Sequence, residues 1–306
     1  MKVRLGYACI TNCINDSSSS PYTYSKYLKD GDINKLDRVI ISNLKSLNNI
    51  IDYNIKNNIH FYRMSSKIIP LATKDDVKFD YTNKYKSYYD TIGKKISESK
   101  MRVDFHPDQF CVLNSVKSDV VSNSVKILEY HYNLLNMLNV NDKILILHVG
   151  SSAFGKENSI SRFINNFNKL PIYLRKCIAI ENDDKVFNVN DVLNISKVTS
   201  IPVVLDYHHH LCNKSDFSFA DIFNSWGNRR VKMHFSSPKN KRDYRSHNEY
   251  INGDDFINFI EILKKYDRDI DIMLEAKGKD DSLFRLVRYI KYKTDYKFID
   301  DTTFLV

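Results

Sequence analysis

Eight short runs rich in β-branched residues alternate with longer stretches of helical periodicity, and this alternation restricts the fold more than any other feature of the chain. The runs are Val3–Cys9, His60–Met64, Arg102–His106, Ile144–His148, Ile178–Asn182, Val203–Asp206, Val231–Phe235 and Ile270–Glu275. The helical patterns cover roughly Ile33–Asn57, Tyr85–Ser99, Val120–Leu138, Ile160–Phe167, Val189–Val198, Phe219–Trp226, Asp255–Tyr266 and Ser282–Lys293. In the first of them Leu36, Val39, Ile40, Leu44, Leu47, Ile50 and Ile51 recur at three- and four-residue steps, so they share one face that must be buried. Eight strand–helix units predict an α/β chain folded as a (β/α)8 TIM barrel. An open doubly wound sheet competes with it, but the Gly-rich turn of that fold has no counterpart here. No internal repeat, low-complexity tract or Pro/Gly linker divides the 306 residues, so residues 1–306 are read as one domain.

A barrel gathers the C-terminal ends of its strands on one rim. Strand three ends in His106, strand four in His148, strand five in Glu181, strand six in Asp206, strand seven in His234 and strand eight in Glu275. One polar residue at a strand end is ordinary. Six in register would repel and desolvate one another without a counter-charge, which points to divalent cations. The stretch Asp206-Tyr-His-His-His adds up to three imidazoles, and His247 follows strand seven, leaving His60 and His131 as structural histidines. Mixed His/carboxylate donors without thiolates suit Mn²⁺ first, then Zn²⁺, and Mg²⁺ less well. The set exceeds the needs of one ion. Two or three ions are expected, the arrangement that clamps the attacking and leaving oxygens of a phosphate ester.

Strand alternation points Lys232 into the barrel beside His234. An ammonium next to bound metals is disfavoured, so the amine is neutral, paired with a carboxylate such as Asp104, or converted to an anionic carbamate. Composition bears on the partner. With 46 Lys and Arg against 37 Asp and Glu, the net charge is +9, which favours an anionic ligand and nucleic acid first. The basic residues cluster at the rim: Lys239, Lys241, Arg242 and Arg245 in the loop after strand seven, then Lys277 and Lys279 after strand eight, placed to meet phosphates. After strand three, Pro107-Asp-Gln-Phe110 sets the amide of Gln109 beside an aromatic, a pair able to wedge into a base stack. Five cysteines without CxxC spacing, no secretory signal and no apolar run near the ~20 residues of a membrane span predict a cytoplasmic, nucleoid-associated protein.

Taken in order, RLGYA, FYRMSS, FHPDQF, HVG, ENDD, DYHHH, KMHFSSP, RSHNEYI and MLEAKGK resemble the UV damage endonucleases over nearly the whole chain. The resemblance implies a DNA repair enzyme that nicks double-stranded DNA immediately 5′ to cyclobutane pyrimidine dimers and 6-4 photoproducts, and often at abasic sites. It leaves a 3′-hydroxyl and a 5′-phosphate. It implies metal ligands at His106, His148, Glu181, Asp206, His209, His234, His247 and Glu275, with His208 and His210 as alternatives to His209 if the loop is shifted. It implies an N6-carboxylated lysine at Lys232, and lesion-sensing side chains at Tyr7, Gln109 and Phe110. The family often carries Tyr where Phe110 stands, and its usual Asn after the first strand is replaced by Thr11, with Asn12 next to it, so the resemblance places Thr11 and Asn12 among the residues that contact DNA at the lesion.

The expected chemistry is metal-assisted hydrolysis of a phosphodiester, with Glu181, Glu275, Lys232 and Lys277 as its catalytic residues. One lesion bent into one site needs no second subunit, so a monomer is expected. An abasic-site endonuclease of the endonuclease IV kind, or a metal-dependent sugar isomerase, would use the same rim. A lesion-binding protein without catalysis would have no use for so full a ligand set.

Overall fold

The computed structural model describes residues 1–306 and contains all eight expected strand–helix units. In chain order these are β1 (Lys2–Ala8), α1 (Tyr24–Asp30), α2 (Ile33–Lys56), β2 (Phe61–Arg63), α3 (Lys86–Glu98), β3 (Arg102–Asp104), α4 (Ser118–Met137) and β4 (Leu145–His148). They continue with α5 (Lys156–Lys169), α6 (Ile172–Arg175), β5 (Ile178–Glu181), α7 (Val189–Thr199), β6 (Val203–Asp206), α8 (Tyr207–Cys212) and α9 (Phe219–Ser225). The chain ends with β7 (Val231–Phe235), α10 (Gly253–Lys264), β8 (Ile270–Leu274), α11 (Lys279–Lys293), β9 (Lys297–Phe298) and β10 (Thr303–Leu305).

The parallel strands run in the order β3-β2-β1-β8-β7-β6-β5-β4. Between β3 and β4 the circle is joined by Phe105, whose N–H donates to Ile144 O (3.2 Å) and whose carbonyl accepts from Ile146 N (3.0 Å). Strand order and closure exclude the open doubly wound sheet. No helix is long and apolar enough to cross a membrane.

Helix α2 shows why the wall holds. Asp32 caps it by accepting from Lys35 N (2.9 Å), and Leu36, Ile40, Leu44, Leu47, Ile50 and Ile51 are buried along one stripe. At ~25 cal/mol per Å², each such side chain stabilises by roughly 1.5–3 kcal/mol relative to exposure. Opposite it, Val3, Leu5 and Tyr7 alternate outward from β1 into the same apolar layer. Gly6 faces the other way. A Cβ there would stand 2.3 Å from Phe61 O, so only glycine lets β1 and β2 approach at this point.

Five elements have no counterpart in the expected pattern: α1, α6, α8, β9 and β10. The last two form an antiparallel return in which Thr303, Phe304 and Leu305 pair with Arg4, Val3 and Lys2, bracing the N-terminal end of β1.

Candidate active site

Contacts between strands that are not neighbours must pass through the barrel, and they define which side chains face inward. Arg102 of β3 reaches Asp271 of β8 (3.0 Å), Lys232 of β7 is paired with Asp104 of β3, and His106 after β3 meets Glu181 of β5 (2.8 Å). Alternation then brings Arg63, His106, His148, Glu181, Asp206, His234 and Glu275 to the same end of the barrel.

Glu181 is the centre of that end and is almost wholly buried. Its Oε2 lies 2.8 Å from His106 Nε2 and 3.7 Å from His148 Nε2. Its Oε1 lies 2.8 Å from His234 Nδ1 and 3.7 Å from His209 Nδ1. Donor atoms of His106, His148 and Glu181 lie within 4.8 Å of one another, as do those of Glu181, Asp206, His234 and Glu275. The two groups share Glu181, whose two oxygens could each serve one of them.

The segment Tyr207–Cys212 is a short helix, α8, and its cap explains the spacing of two candidate ligands. Asp206 Oδ1 accepts from His209 N (2.7 Å) as the N-cap, which brings the residue three positions on back toward the aspartate. Asp206 Oδ2 is buried and has no hydrogen-bond partner. Of the three consecutive histidines, His209 faces Glu181 and Asp206. His208 turns to Arg245 O (3.4 Å) and Cys212, and His210 packs edge-on against Phe217. His247 stands apart from both donor groups, in the cavity mouth with Arg63, Glu275, Lys277 and Lys279. His60 and His131 are structural, the first paired with Asp300 (3.0 Å) and the second bonded to Ile127 O (2.8 Å) between Phe105 and Tyr130.

The charges are mutually adjusted. Burial pushes the Glu181 carboxyl up, but His234, His148 and the bond from His106 together hold it well below the usual carboxylate range. Glu275 behaves alike: burial opposes its ionisation, while Arg63 and His234 pull it far down. Burial lowers His209, yet Asp206, Glu181 and Glu275 overcome it and raise the imidazole to about 9. Desolvation lowers His148 and His234. Three carboxylates ringed by imidazoles, with an orphaned Asp206 oxygen among them, fit hard or borderline divalent cations of the Mn²⁺ or Zn²⁺ kind. They do not single out one metal.

Arg63 was not anticipated as a site residue. It ends β2 within FYRMSS, and its guanidinium is buried, donating to Glu275 Oε1 (2.6 Å) and to His234 Nε2 (2.7 Å). The rule that singled out the other strand ends applies to it too. Asn182 is the second such residue. It accepts from Asp206 N (2.9 Å), donates to Asp206 O (3.0 Å), and offers its own carbonyl to His209 Nδ1 (3.0 Å).

Lys232 is fully buried against Asp104 and lies over the Phe61 ring (5.0 Å). Burial lowers its amine to about 7 against the opposing pull of Asp104. Two expected lesion contacts are corrected. Tyr7 is fully buried, its hydroxyl donating to Asn54 Oδ1 (2.8 Å) and its ring against Tyr62, because strand alternation turns it outward under α2. Thr11 is buried as well, donating to Asp280 Oδ2 (2.5 Å). Neither presents a side chain to the rim, whereas Asn12, Gln109 and Phe110 are exposed. After β7 the chain forms a hairpin closed by Pro238 and His247, with Lys239, Lys241, Arg242 and Arg245 on it. Lys239 is paired with Asp243 and Arg245 with Asp184, while Lys241 and Arg242 have no acidic partner.

The model of the family described as UV-endonuclease UvdE matches residues 3–303. The chain belongs to the UV-endonuclease family. The UV DNA damage endonuclease of Bacillus cereus (strain B4264) is 36% identical over 298 residues, 94% of each chain. The crystal structure of SacUVDE superposes with a TM-score of 0.87 at 34% identity, covering 95% of this chain and 98% of that one. Endonuclease IV from Thermus thermophilus (TM-score 0.59, 12% identity, covering 95% of this chain and 100% of the other) is similar in fold alone. Membership in the UV-endonuclease family makes the chain a nuclease of DNA repair, and its rim carries a donor set suited to metal ions.

Proposed function

We propose that this UV endonuclease acts as a single domain and a monomer. It cuts the phosphodiester immediately 5′ to a pyrimidine photoproduct, and also at abasic sites, leaving a 3′-hydroxyl and a 5′-phosphate. The observation that carries the reading is Glu181, buried and shared between two donor groups at one rim of the barrel. His106, His148, Glu181, Asp206, His209, His234 and Glu275 would hold two or three ions, with His247 joining from the mouth. Mn²⁺ is the ion proposed for them, with Zn²⁺ the alternative for the same imidazole and carboxylate donors. When bound, such ions supply a nucleophilic water at neutral pH and a counter-charge for the leaving oxygen.

The remaining work belongs to side chains of this chain. Arg63 holds Glu275 and His234 in place through its two donated bonds. Asn182 fixes Asp206 and His209. Lys277, exposed at the mouth, offsets charge on the non-bridging oxygens of the scissile phosphate. Lys279 and the hairpin cations Lys239, Lys241, Arg242 and Arg245 take up flanking phosphates. Gln109 and Phe110 enter the base stack at the lesion, with Asn12 beside the same groove. Lys232 carries a carbamate in the active enzyme, formed when its unprotonated amine adds carbon dioxide and releases one proton, and its charge is set against the Arg63 guanidinium.

The test uses three end-labelled duplexes with one thymine dimer, one abasic site or no damage, with Mn²⁺ and with or without chelator. A chelator-sensitive nick immediately 5′ to the dimer is expected, and Glu181→Gln should slow it by more than about 100-fold while leaving the circular dichroism spectrum unchanged. Cutting confined to the abasic duplex would overturn the photoproduct assignment. Near-normal cutting by Glu181→Gln would overturn the bridging role.

A further inference from the structure

The loop between β4 and α5, residues 149–155, is braced at nearly every turn. Asn114 donates to Ser151 O (2.6 Å) and accepts from Ser151 N (3.2 Å). Gly150 sits at φ +114°, where a Cβ would stand 2.3 Å from Asn114 Oδ1, so the contact admits no larger residue. Arg162 donates to Ala153 O (2.5 Å) and to Ser159 Oγ (2.7 Å), while Asn158 donates to Phe154 O (2.8 Å) and Gly155 N to Ser152 O (3.0 Å). Inside this frame Phe154 adopts φ +60°, a conformation uncommon outside glycine and asparagine, and 78% of the residue is exposed. No other aromatic ring packs on it. A strained backbone that presents an unpartnered apolar ring to water is doubly unfavourable, and such positions concentrate at functional sites.

The placement says what the ring meets. The loop follows His148, one of the candidate ligands, and it is locked to the preceding rim loop, because Arg162 Nε also donates to Asn114 O (2.9 Å). That preceding loop carries Gln109 and Phe110, and Phe110 is likewise exposed, at 73%. Two bare phenylalanines therefore stand on adjacent, mutually bonded loops beside one set of candidate ligands. The geometry points to Phe154 as a second stacking residue, which holds a base unstacked from the duplex at the cutting site. This rests on the reading of the chain as a nuclease of damaged duplex DNA. A base is the fitting partner because its π-face meets an aromatic ring without regard to sequence, and because a rigid platform loses little entropy on contact. Phe154 positions substrate; it does not touch the reacting phosphate.

The test is single-turnover cutting of the thymine-dimer duplex in Mn²⁺, with enzyme concentration varied so that half-saturation and maximal rate separate. Stacking predicts that Phe154→Ala raises the half-saturating concentration about 5- to 150-fold. Phe154→Leu should fall with it, since Leu restores apolar area without a π-face, and Phe154→Trp should remain near wild type. A 2-aminopurine beside the dimer should be quenched on binding wild type and not on binding Phe154→Ala. Phe154→Gly should bind as poorly as Phe154→Ala yet melt no lower than wild type, because glycine relieves the positive φ. If wild type nicks the dimer duplex and Phe154→Ala or Phe154→Leu matches it within twofold, the stacking role is wrong and the endonuclease reading stands. If wild type makes no chelator-sensitive nick, both fall together.

Discussion

Replacing Asp271 by Asn should weaken the fold without touching the chemistry. The carboxylate is fully buried at the end of the barrel opposite the candidate ligands, where Arg4 grips both oxygens (2.6 and 2.7 Å), Arg230 donates to one (2.6 Å) and Arg102 to the other (3.0 Å). Burial alone would raise its pKa, but the bond from Arg4 and the charges of Arg102, Arg4 and Arg230 bring it down to about 2, from an ordinary 3.8. At ~1.4 kcal/mol per unit, that difference is on the order of 2–3 kcal/mol of stability at neutral pH. For a chain of this length, with roughly 2 cal/mol/K of unfolding entropy per residue, it amounts to about 4 °C in melting temperature. The folded-state pKa is the lower one, so the contribution is complete above the ordinary value and fades as pH falls toward 2. At pH 3 roughly half of it should remain. Urea unfolding of wild type and Asp271→Asn, both in chelator, should show a gap on the order of 2–3 kcal/mol at pH 7 that roughly halves at pH 3. Cutting of the dimer duplex well below the melting temperature should be equal in both. A gap that does not change with pH, or a variant as stable as wild type, would refute the electrostatic account.

Two further predictions concern DNA and Lys232. The double variant Lys241→Ala/Arg242→Ala, which removes the two hairpin cations without acidic partners, should reduce the slope of log binding against log salt by about 2, measured by anisotropy on damaged and undamaged duplexes alike. An unchanged slope would remove the hairpin from the phosphate-binding surface. In ¹³C-bicarbonate, the enzyme should show a carbamate carbonyl resonance that Lys232→Gln lacks, and Lys232→Gln should cut more slowly than wild type. No resonance in wild type would leave the Asp104 pair as the working state of that amine.

The eight units were legible in the sequence because periods of 2 and 3.6 are local, as in α2 and its stripe of Leu and Ile. The rim residues were legible because a barrel converts position at a strand end into position in space. Tyr7 and Thr11 were misplaced for a complementary reason: motif likeness carries no side-chain direction, and strand alternation together with the bond to Asn54 buries the first, while Asp280 takes the second. Arg63 was missed because a cation among prospective cation ligands runs against the charge pattern until Glu275 and His234 are seen to need it. The helix α8 was missed because a run of histidines has modest helix propensity, and its formation depends on the Asp206 cap.

The lumen explains how such a site coexists with a stable barrel. A barrel of this kind is ordinarily filled by layers of branched apolar side chains, and here Ala8, Phe61 and Met273 form a small apolar cluster separate from the main core. Most of the rest is charge arranged in storeys: Asp271 with Arg4 and Arg102, then Asp104 with the uncarboxylated Lys232 amine, then the carboxylates and imidazoles around Glu181. Each storey supplies the opposite charge its members need, since an unpaired buried ion costs several kcal/mol. Arg63 spans the upper two, within 3.9 Å of Asp104 and bonded to Glu275. It gives the carboxylates a counter-charge that the fold itself carries. The barrel beneath the rim is thus held by its own arginines, and on the proposed reading ions would serve the chemistry rather than the fold.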